Sequence, residues 1–203
     1  MPKVVDHEQR RQELAQALWR VVDRAGFEGA TVRAVATEAN WSMGALRYYF
    51  DSQQRLLHFA VEILIERIGD RLRAHLGAGI TGPELARRLM EEFLPLDSDR
   101  GVEVTVWLAA LERARTDPHL AALRRQSWEG TRQVCRLAIV ELRGAGRPDN
   151  SAKPLRPRAL EDAAAALHVY LDGLTLHASR YPEQNPPGVV REALHTYLAA
   201  LAG

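Results

Sequence analysis

The chain has 203 residues and a formal net charge of +1, and 46% of its residues are hydrophobic. This size and composition favour one or two globular domains and exclude a disordered chain. The single cysteine, Cys135, excludes an internal disulfide and a zinc finger built on cysteines. We expect a cytoplasmic protein without a membrane span, since we find no apolar run of about 18 residues and no signal-peptide pattern.

The first predicted elements are four helices, of which the second and third are short. Apolar residues recur at helical spacing over residues 14–25, and Gly26 is placed to end this helix. Thr31 and Ser42 are typical N-cap residues and predict the starts of the two short helices. A long fourth helix follows, with apolar residues at helical spacing over residues 56–72.

Five further helices are predicted in the rest of the chain. Asp117 and Pro118 are placed to cap and begin one of them. Residues 144–157 read as a loop because glycine and proline are frequent there. Residues 160–178 keep an apolar spacing near 3.5, and a last helix is predicted over residues 188–202.

We find no convincing strand pattern, so we predict an all-α fold of about nine helices. Residues 1–53 would form a three-helix DNA-binding domain. The long fourth helix would join it to a helical ligand-binding and dimerisation domain, residues 54–203.

The two short helices and their joint predict a helix-turn-helix. Asn40 tolerates the left-handed backbone that such a turn needs, and Trp41, Leu46 and Phe50 would pack beneath it. Arg47 lies where it can reach a base edge, a contact worth about 1–3 kcal/mol of discrimination. The outward face of the third helix is small and mildly polar and comprises Ser42, Met43, Gly44, Ala45, Arg47 and Tyr48.

The stretch "TVRAVATEANWSMGALRYYFDSQQRLL" resembles the DNA-binding domain of the TetR family of transcriptional regulators. The matching positions are Thr31, Val35, Ala36, Ala39, Ser42, Gly44, Leu46, Tyr49, Phe50, Ser52 and Leu56. Two C-terminal stretches, "VWLAALERARTDPHLAALRRQSWEGTRQ" and "YLDGLTLHA", resemble the BetI-like subgroup more weakly. The resemblance implies a regulator, and we expect it to be a homodimeric repressor that binds a palindromic operator in double-stranded DNA, responds to a small-molecule effector and needs no cofactor.

The expected DNA contacts follow from the exposed helix face and from this resemblance. They are Thr31, Arg33, Ser42, Met43, Gly44, Ala45, Arg47, Tyr48, Tyr49 and Gln53. Three positions depart from the family pattern: Asn40 replaces a glycine, Arg47 stands where tyrosine is usual, and Gln53 replaces a lysine that commonly contacts a phosphate.

Aromatic residues on successive predicted helices suggest an effector cavity. Phe93, Trp107 and Trp128 would surround it, and the helix of His168 and Asp172 would close one side. Either tryptophan can instead simply fill core volume. Arg132 and Cys135 are further candidates, and these seven residues form the predicted ligand site. The ligand is expected to be small and largely apolar, and cationic if Asp172 faces inward.

The last two predicted helices can form a four-helix bundle with those of a second copy. We place Leu167, Leu171, Leu174 and Tyr197 at or under this dimer interface.

Two other interpretations remain open from the sequence. His168 and Asp172 are four residues apart and share a helix face, so they could serve a small helical enzyme or hold a metal ion. The sequence identifies no third ligand, so we assign no metal site. The chain could also be a scaffold that has lost DNA binding, because Gln53 replaces a lysine and residues 1–58 carry eight basic against seven acidic residues.

Overall fold

The computed structural model describes residues 7–147 and 150–203, with side chains from residue 9 onward. Residues 1–6 of the predicted DNA-binding domain, and Pro148 and Asp149 of the predicted loop, lie outside the described residues. The described ranges contain nine helices and no strand, which confirms the predicted fold class. The helices are α1 His7–Gly29, α2 Val32–Glu38, α3 Met43–Tyr49, α4 Gln53–Gly77, α5 Gly82–Glu91, α6 Ser98–Arg113, α7 Pro118–Leu142, α8 Arg158–Arg180 and α9 Pro187–Ala202.

Short polar side chains begin five of these helices. Thr31, Ser42 and Ser52 each accept a hydrogen bond from the backbone N–H three residues ahead, at 3.1, 3.1 and 3.2 Å. Asp117 caps α7 as predicted, and Asp97 caps α6 in the same way. Each cap pairs a backbone donor that would otherwise have no partner within the helix.

Gly26 marks a kink in α1 rather than its end. Its φ of 66° and ψ of 174° interrupt the helix, and the chain then makes one more helical turn to Gly29. This bend brings Phe27 into the core, where only 4% of it is exposed. Glycine suits the position because a residue with a Cβ rarely adopts a positive φ.

The apolar side chains form two cores. The first joins α1, α2, α3, the first half of α4 and one face of α6. The second joins α5, the second half of α7, α8 and α9. Helix α4 begins at Gln53, and the first core extends across the boundary predicted after residue 53 through α4 and α6, so the division into two domains stays a prediction.

A buried ionic cluster fastens α4 to α5 and α6. Glu92 and Glu103 are each 3% exposed, and Arg71 of α4 binds both, at 2.5 Å to Glu92 and at 2.9 and 2.6 Å to Glu103. His75 and Arg100 contact Glu92 at 2.8 Å each. Burial alone would raise the pKa of Glu92, but the hydrogen bonds from these three partners outweigh it and lower the pKa.

Candidate functional site

The joint between α2 and α3 has the geometry predicted for it. Asn40 has a φ of 57° and follows the last turn of α2. Its N–H bonds the Thr37 carbonyl at 3.1 Å, and the Trp41 N–H bonds the Ala36 carbonyl at 2.9 Å. These two bonds form a Schellman motif, which ends α2 and turns the chain toward α3.

The two short helices rest on a packed and ionically fastened base. Leu46 of α3 is fully buried, and Glu38 at the end of α2 binds Arg20 at 2.6 Å and Arg24 at 3.2 Å. The hydrogen bonds from these arginines lower the pKa of Glu38. Trp41 packs edge-on against Tyr49, with ring centroids 5.6 Å apart. Helix α3 therefore packs through its inner face against α2 and the first core, and α2 is in turn fastened to α1.

The outer face of α3 is open to solvent. Ser42, Met43, Gly44, Ala45, Arg47 and Tyr48 are all exposed, as is Arg33 on α2. Tyr48 is 83% exposed. Neither Arg47 nor Arg33 has a side-chain hydrogen bond or ion pair with another described residue, so both guanidinium groups are available to an external anion or base.

Gly44 has no internal reason to lack a side chain. A Cβ built on it would meet nothing within 4 Å among the described residues, and its φ lies outside the left-handed region. Glycine is unfavourable in a helix compared with alanine. The missing methyl group matters only if another molecule approaches α3 closely at Gly44.

Three of the predicted DNA contacts also serve within the protein. The amide nitrogen of Gln53 donates to the Ala30 carbonyl at 2.9 Å and so fastens the start of α4 to the segment before α2. The Tyr49 ring is half-buried against Trp41, and Thr31 uses its hydroxyl oxygen as the α2 cap. DNA contacts from Gln53, Tyr49 and Thr31 stay predictions.

Four of the seven predicted ligand-site residues lie together between α7 and α8. The Arg132 guanidinium lies 5.1 Å from the Trp128 ring centroid, and the His168 ring lies 5.4 Å from the same ring. Arg132 donates to His168 Nδ1 at 3.2 Å. Asp172 lies beyond His168, with its side chain 68% exposed. The condition stated for a cationic ligand, an inward-facing Asp172, is therefore not met in this structure.

His168 is a buried, neutral histidine. Burial and the neighbouring Arg132 lower its pKa to about 4, and the hydrogen bond accepted at Nδ1 places its proton on Nε2. Asp172 is 3.8 Å from Nε2, beyond hydrogen-bond distance. Cys135 is fully buried, and burial raises the pKa of its thiol to about 12. These groups are not arranged as an acid–base pair or an activated nucleophile.

Phe93 and Trp107 belong to different cores. Trp107 is half-buried against the first core, and Phe93 is half-buried against the second. Trp128, by contrast, is 52% exposed. The prediction of one cavity surrounded by all three aromatic side chains is therefore wrong in this structure, because Trp107 of α6 and Phe93 in the turn after α5 pack against separate clusters.

The predicted dimer residues lie mostly beneath the surface. Leu167 and Leu171 are 0% and 1% exposed within the second core, and Leu174 is half-buried. Tyr197 stacks on Tyr170 of the same chain, with ring centroids 3.8 Å apart. These four residues lie under the outer faces of α8 and α9, and their place at or under a dimer interface stays a prediction.

The start of α7 contacts the start of α4. Asp117, 7% exposed, accepts from Gln54 Nε2 at 2.9 Å and lies 2.6 Å from His58 Nε2. The His58 and His119 rings lie with their centroids 4.3 Å apart, tilted by 34°. Burial would raise the pKa of Asp117, but the hydrogen bonds from His58 and Gln54 lower it to about 2. The sequence showed only the cap at Asp117, since nothing local indicates a partner about sixty residues away.

The described residues form neither a metal site nor a membrane span. No group of three or more His, Cys, Asp or Glu side chains there is placed to hold a metal ion. None of the described helices is both long and apolar enough to cross a membrane.

Comparisons with known proteins agree with the helix-turn-helix formed by α2 and α3. Residues 83–203 match a family model described as BetI-type transcriptional repressor, C-terminal. The HTH-type transcriptional regulator PksA of Bacillus subtilis (strain 168) is 34% identical over 183 residues, which cover 90% of this chain and 84% of PksA. The HTH-type transcriptional regulator BetI of Burkholderia thailandensis is 28% identical over 180 residues, which cover 88% of this chain and 86% of BetI.

Solved structures share the fold over nearly the whole chain. A transcriptional regulator from Rhodococcus sp. Rha1 has a TM-score of 0.75 at 31% identity, covering 94% of this chain and 95% of that one. A regulator from Saccharomonospora viridis in complex with choline has a TM-score of 0.74 at 20% identity, covering 96% and 95%. The relatives are transcriptional regulators and not enzymes, so the catalytic interpretation of His168 and Asp172 is wrong. This chain belongs to the TetR family of transcriptional regulators, and its C-terminal domain is of the BetI type.

Proposed function

We propose that this regulator is a homodimeric repressor that binds a palindromic operator and is released by a small, largely apolar effector. The observation that carries the proposal is the outer face of α3. It presents unpaired Arg47, exposed Tyr48 and Gly44 on a helix whose inner face is fully packed. A recognition helix enters the major groove in this way.

Selection from randomised duplexes tests the DNA-binding part of the proposal. The purified full chain should enrich sequences with two inverted half-sites, because a two-fold dimer presents two copies of α3. Enrichment of a single half-site, or of no sequence, would contradict it. The second outcome would favour the scaffold interpretation.

An exposed apolar stripe on α8 and α9 supports the homodimer. Val169 on α8 is 71% exposed, Leu176 on the same helix is 46% exposed, and Val189 on α9 is 47% exposed. Gly173 lies between Val169 and Leu176 on the exposed side of α8, and an added Cβ there would meet nothing within 4 Å. Apolar side chains around a small residue suit close packing against a helix of a second copy.

Sedimentation of Val169→Glu tests this surface. The variant should fold but dissociate, because the added charge would be buried only on dimerisation. Val32→Glu cannot serve as the control, because Val32 packs against the first core and the added charge would disturb folding itself. The matched control is Thr105→Glu, at an exposed position on α6. A dimeric Val169→Glu protein would refute this interface.

The contact between Asp117 and α4 supports a route from effector to DNA. Helix α7 carries Trp128 and Arg132 in its middle and Asp117 at its start. Asp117 bonds Gln54 in the first turn of α4, directly after the segment that follows α3. A shift of α7 on effector binding would therefore move the base of the DNA-binding domain. The effector acts only if it binds the two arrangements unequally, by about 1–3 kcal/mol in typical cases.

A variant at this contact separates coupling from binding. Gln54→Leu removes the hydrogen bond to Asp117 but leaves the α3 surface and the Trp128 cluster unchanged. We expect operator affinity without effector to stay within a few-fold, while the effector-induced loss of DNA binding becomes smaller. Gln126→Leu, at an exposed position of α7, is the control. An unchanged effector response in Gln54→Leu would remove this contact from the route.

A further inference from the structure

We propose that the Arg132–Trp128 cluster binds the carboxylate of its effector, so that the effector is an organic acid with an apolar body. This inference rests on the proposed effector response and specifies the chemistry of the ligand at that site. It differs from the cationic ligand that the sequence left open.

The first observation is a largely buried guanidinium with unused donors. The Arg132 side chain is only 13% exposed. Its Nε donates to His168 Nδ1 at 3.2 Å, and its terminal nitrogens make no hydrogen bond to any residue in the described ranges. Arginine side chains are rarely buried unless they are paired, because unpaired N–H groups lose the hydrogen bonds of water.

The second observation concerns the nearest carboxylate. Glu161 Oε1 lies 3.8 Å from Arg132 Nη1, too far for a hydrogen bond. Glu161 instead binds Arg136 through two hydrogen bonds of 2.8 Å and also accepts from the Leu155 N–H at 2.9 Å. Glu161 is thus hydrogen-bonded to Arg136 and reaches Arg132 only at ion-pair distance, so it leaves the terminal N–H donors of Arg132 without an acceptor.

The third observation is the platform beside the guanidinium. Trp128 is 52% exposed and holds the Arg132 guanidinium 5.1 Å from its ring centroid. The buried His168 ring supports the same indole from α8. A carboxylate can bond the planar guanidinium through two parallel hydrogen bonds, while an apolar group lies on the exposed indole.

The charges around the site disfavour a cationic ligand. The Arg132 side chain is more buried than that of Asp172, and His168 beside it is neutral. Asp172 is the nearby acidic group on α8; burial raises the pKa of its carboxyl and the charge of Arg132 acts against that, but its side chain is 68% exposed and lies beyond ion-pair distance of Arg132. A quaternary ammonium on the Trp128 face would have to displace or approach the guanidinium already there.

Matched pairs of acids and amides test the inference on the full chain. The probes are octanoate with octanamide, phenylacetate with phenylacetamide, and acetate and choline alone. Tryptophan emission is titrated, with Trp128→Leu identifying which of the four tryptophans responds. We expect octanoate or phenylacetate to bind roughly tenfold or more tightly than its amide, because hydrogen bonds to charged groups are the stronger ones.

Arg132 variants identify the charged partner. Arg132→Gln should remove the difference between acid and amide while leaving amide binding unchanged, and Arg132→Lys should retain part of it. Arg124→Gln, which alters an exposed arginine of α7, is the control and should behave as the unmodified chain. The acid–amide comparison on the unmodified chain needs no variant, so it decides the matter even if Arg132→Gln does not fold.

Three outcomes would overturn the inference. The first is that neither acid binds more tightly than its amide. The second is that choline binds while none of the acids does. The third is that Arg132→Gln dissociates the dimer while acids and amides bind alike, in which case a carboxylate of the second copy fills the site. An acid that binds here without releasing operator DNA would support the inference and contradict the proposed effector response.

Discussion

Gly44→Ala is the variant that most directly separates folding from DNA binding. The added methyl group would meet nothing within 4 Å in the described protein, and Gly44 lies on the exposed face of α3. Alanine is favoured over glycine in helices by about 0.5–1 kcal/mol, and the gain should be near the lower value because Gly44 lies in the first turn. The folded protein should therefore become slightly more stable.

The same methyl group should weaken operator binding. If DNA backbone or bases approach the α3 backbone at Gly44, an extra carbon at a packed contact costs about 1–3 kcal/mol. We expect a loss of roughly fivefold or more in operator affinity at fixed salt concentration. Urea denaturation measures the stability, and fluorescence anisotropy of a labelled operator duplex measures the affinity.

Gly130→Ala provides the matched control. Gly130 is also helical, an added Cβ there would meet nothing within 4 Å, and it lies on α7 away from α3. It should gain stability without losing operator affinity. If Gly44→Ala binds the operator as tightly as the unmodified chain, DNA does not approach closely at Gly44, and the explanation of this glycine is incorrect.

Three further predictions concern base reading, packing and pH. Arg47→Ala should relax base preference at one position of each half-site by about 1–3 kcal/mol, as read by duplex selection, and an unchanged preference would show that Arg47 is not a reader. Leu171→Glu should prevent folding, since Leu171 is 1% exposed and an unpartnered buried charge costs several kcal/mol. Circular dichroism and sedimentation measure folding and assembly, and a folded dimer would contradict the placement of Leu171 in the second core. The folded pKa of Asp117 is lowered from 3.8 to about 2, so its ionised form stabilises the fold by about 2 kcal/mol above pH 4, and this contribution is lost as pH falls toward 2. The stability advantage over Asp117→Asn in urea should shrink across that range, and a constant difference would refute the role of the charge.

The sequence alone determined those parts of the structure that depend on neighbouring residues. Helix caps such as Ser42 bond a backbone group three residues away, and the left-handed Asn40 closes its turn within five residues. Apolar spacing identified the buried face of each helix, so Leu46 was expected inside and Tyr48 outside, as found. The helix-turn-helix and the family were therefore readable without coordinates.

Only the tertiary structure decided which helix faces meet. Phe93 and Trp107 looked alike as aromatic residues on successive helices, yet they pack on different cores. Among the described residues, Arg132 has no hydrogen-bonded carboxylate because Arg136, one turn later on α7, already binds Glu161, which lies 3.8 Å from Arg132, within ion-pair distance only. Helical periodicity shows that a face is buried but not which distant segment covers it, and that choice depends on how all nine described helices pack together.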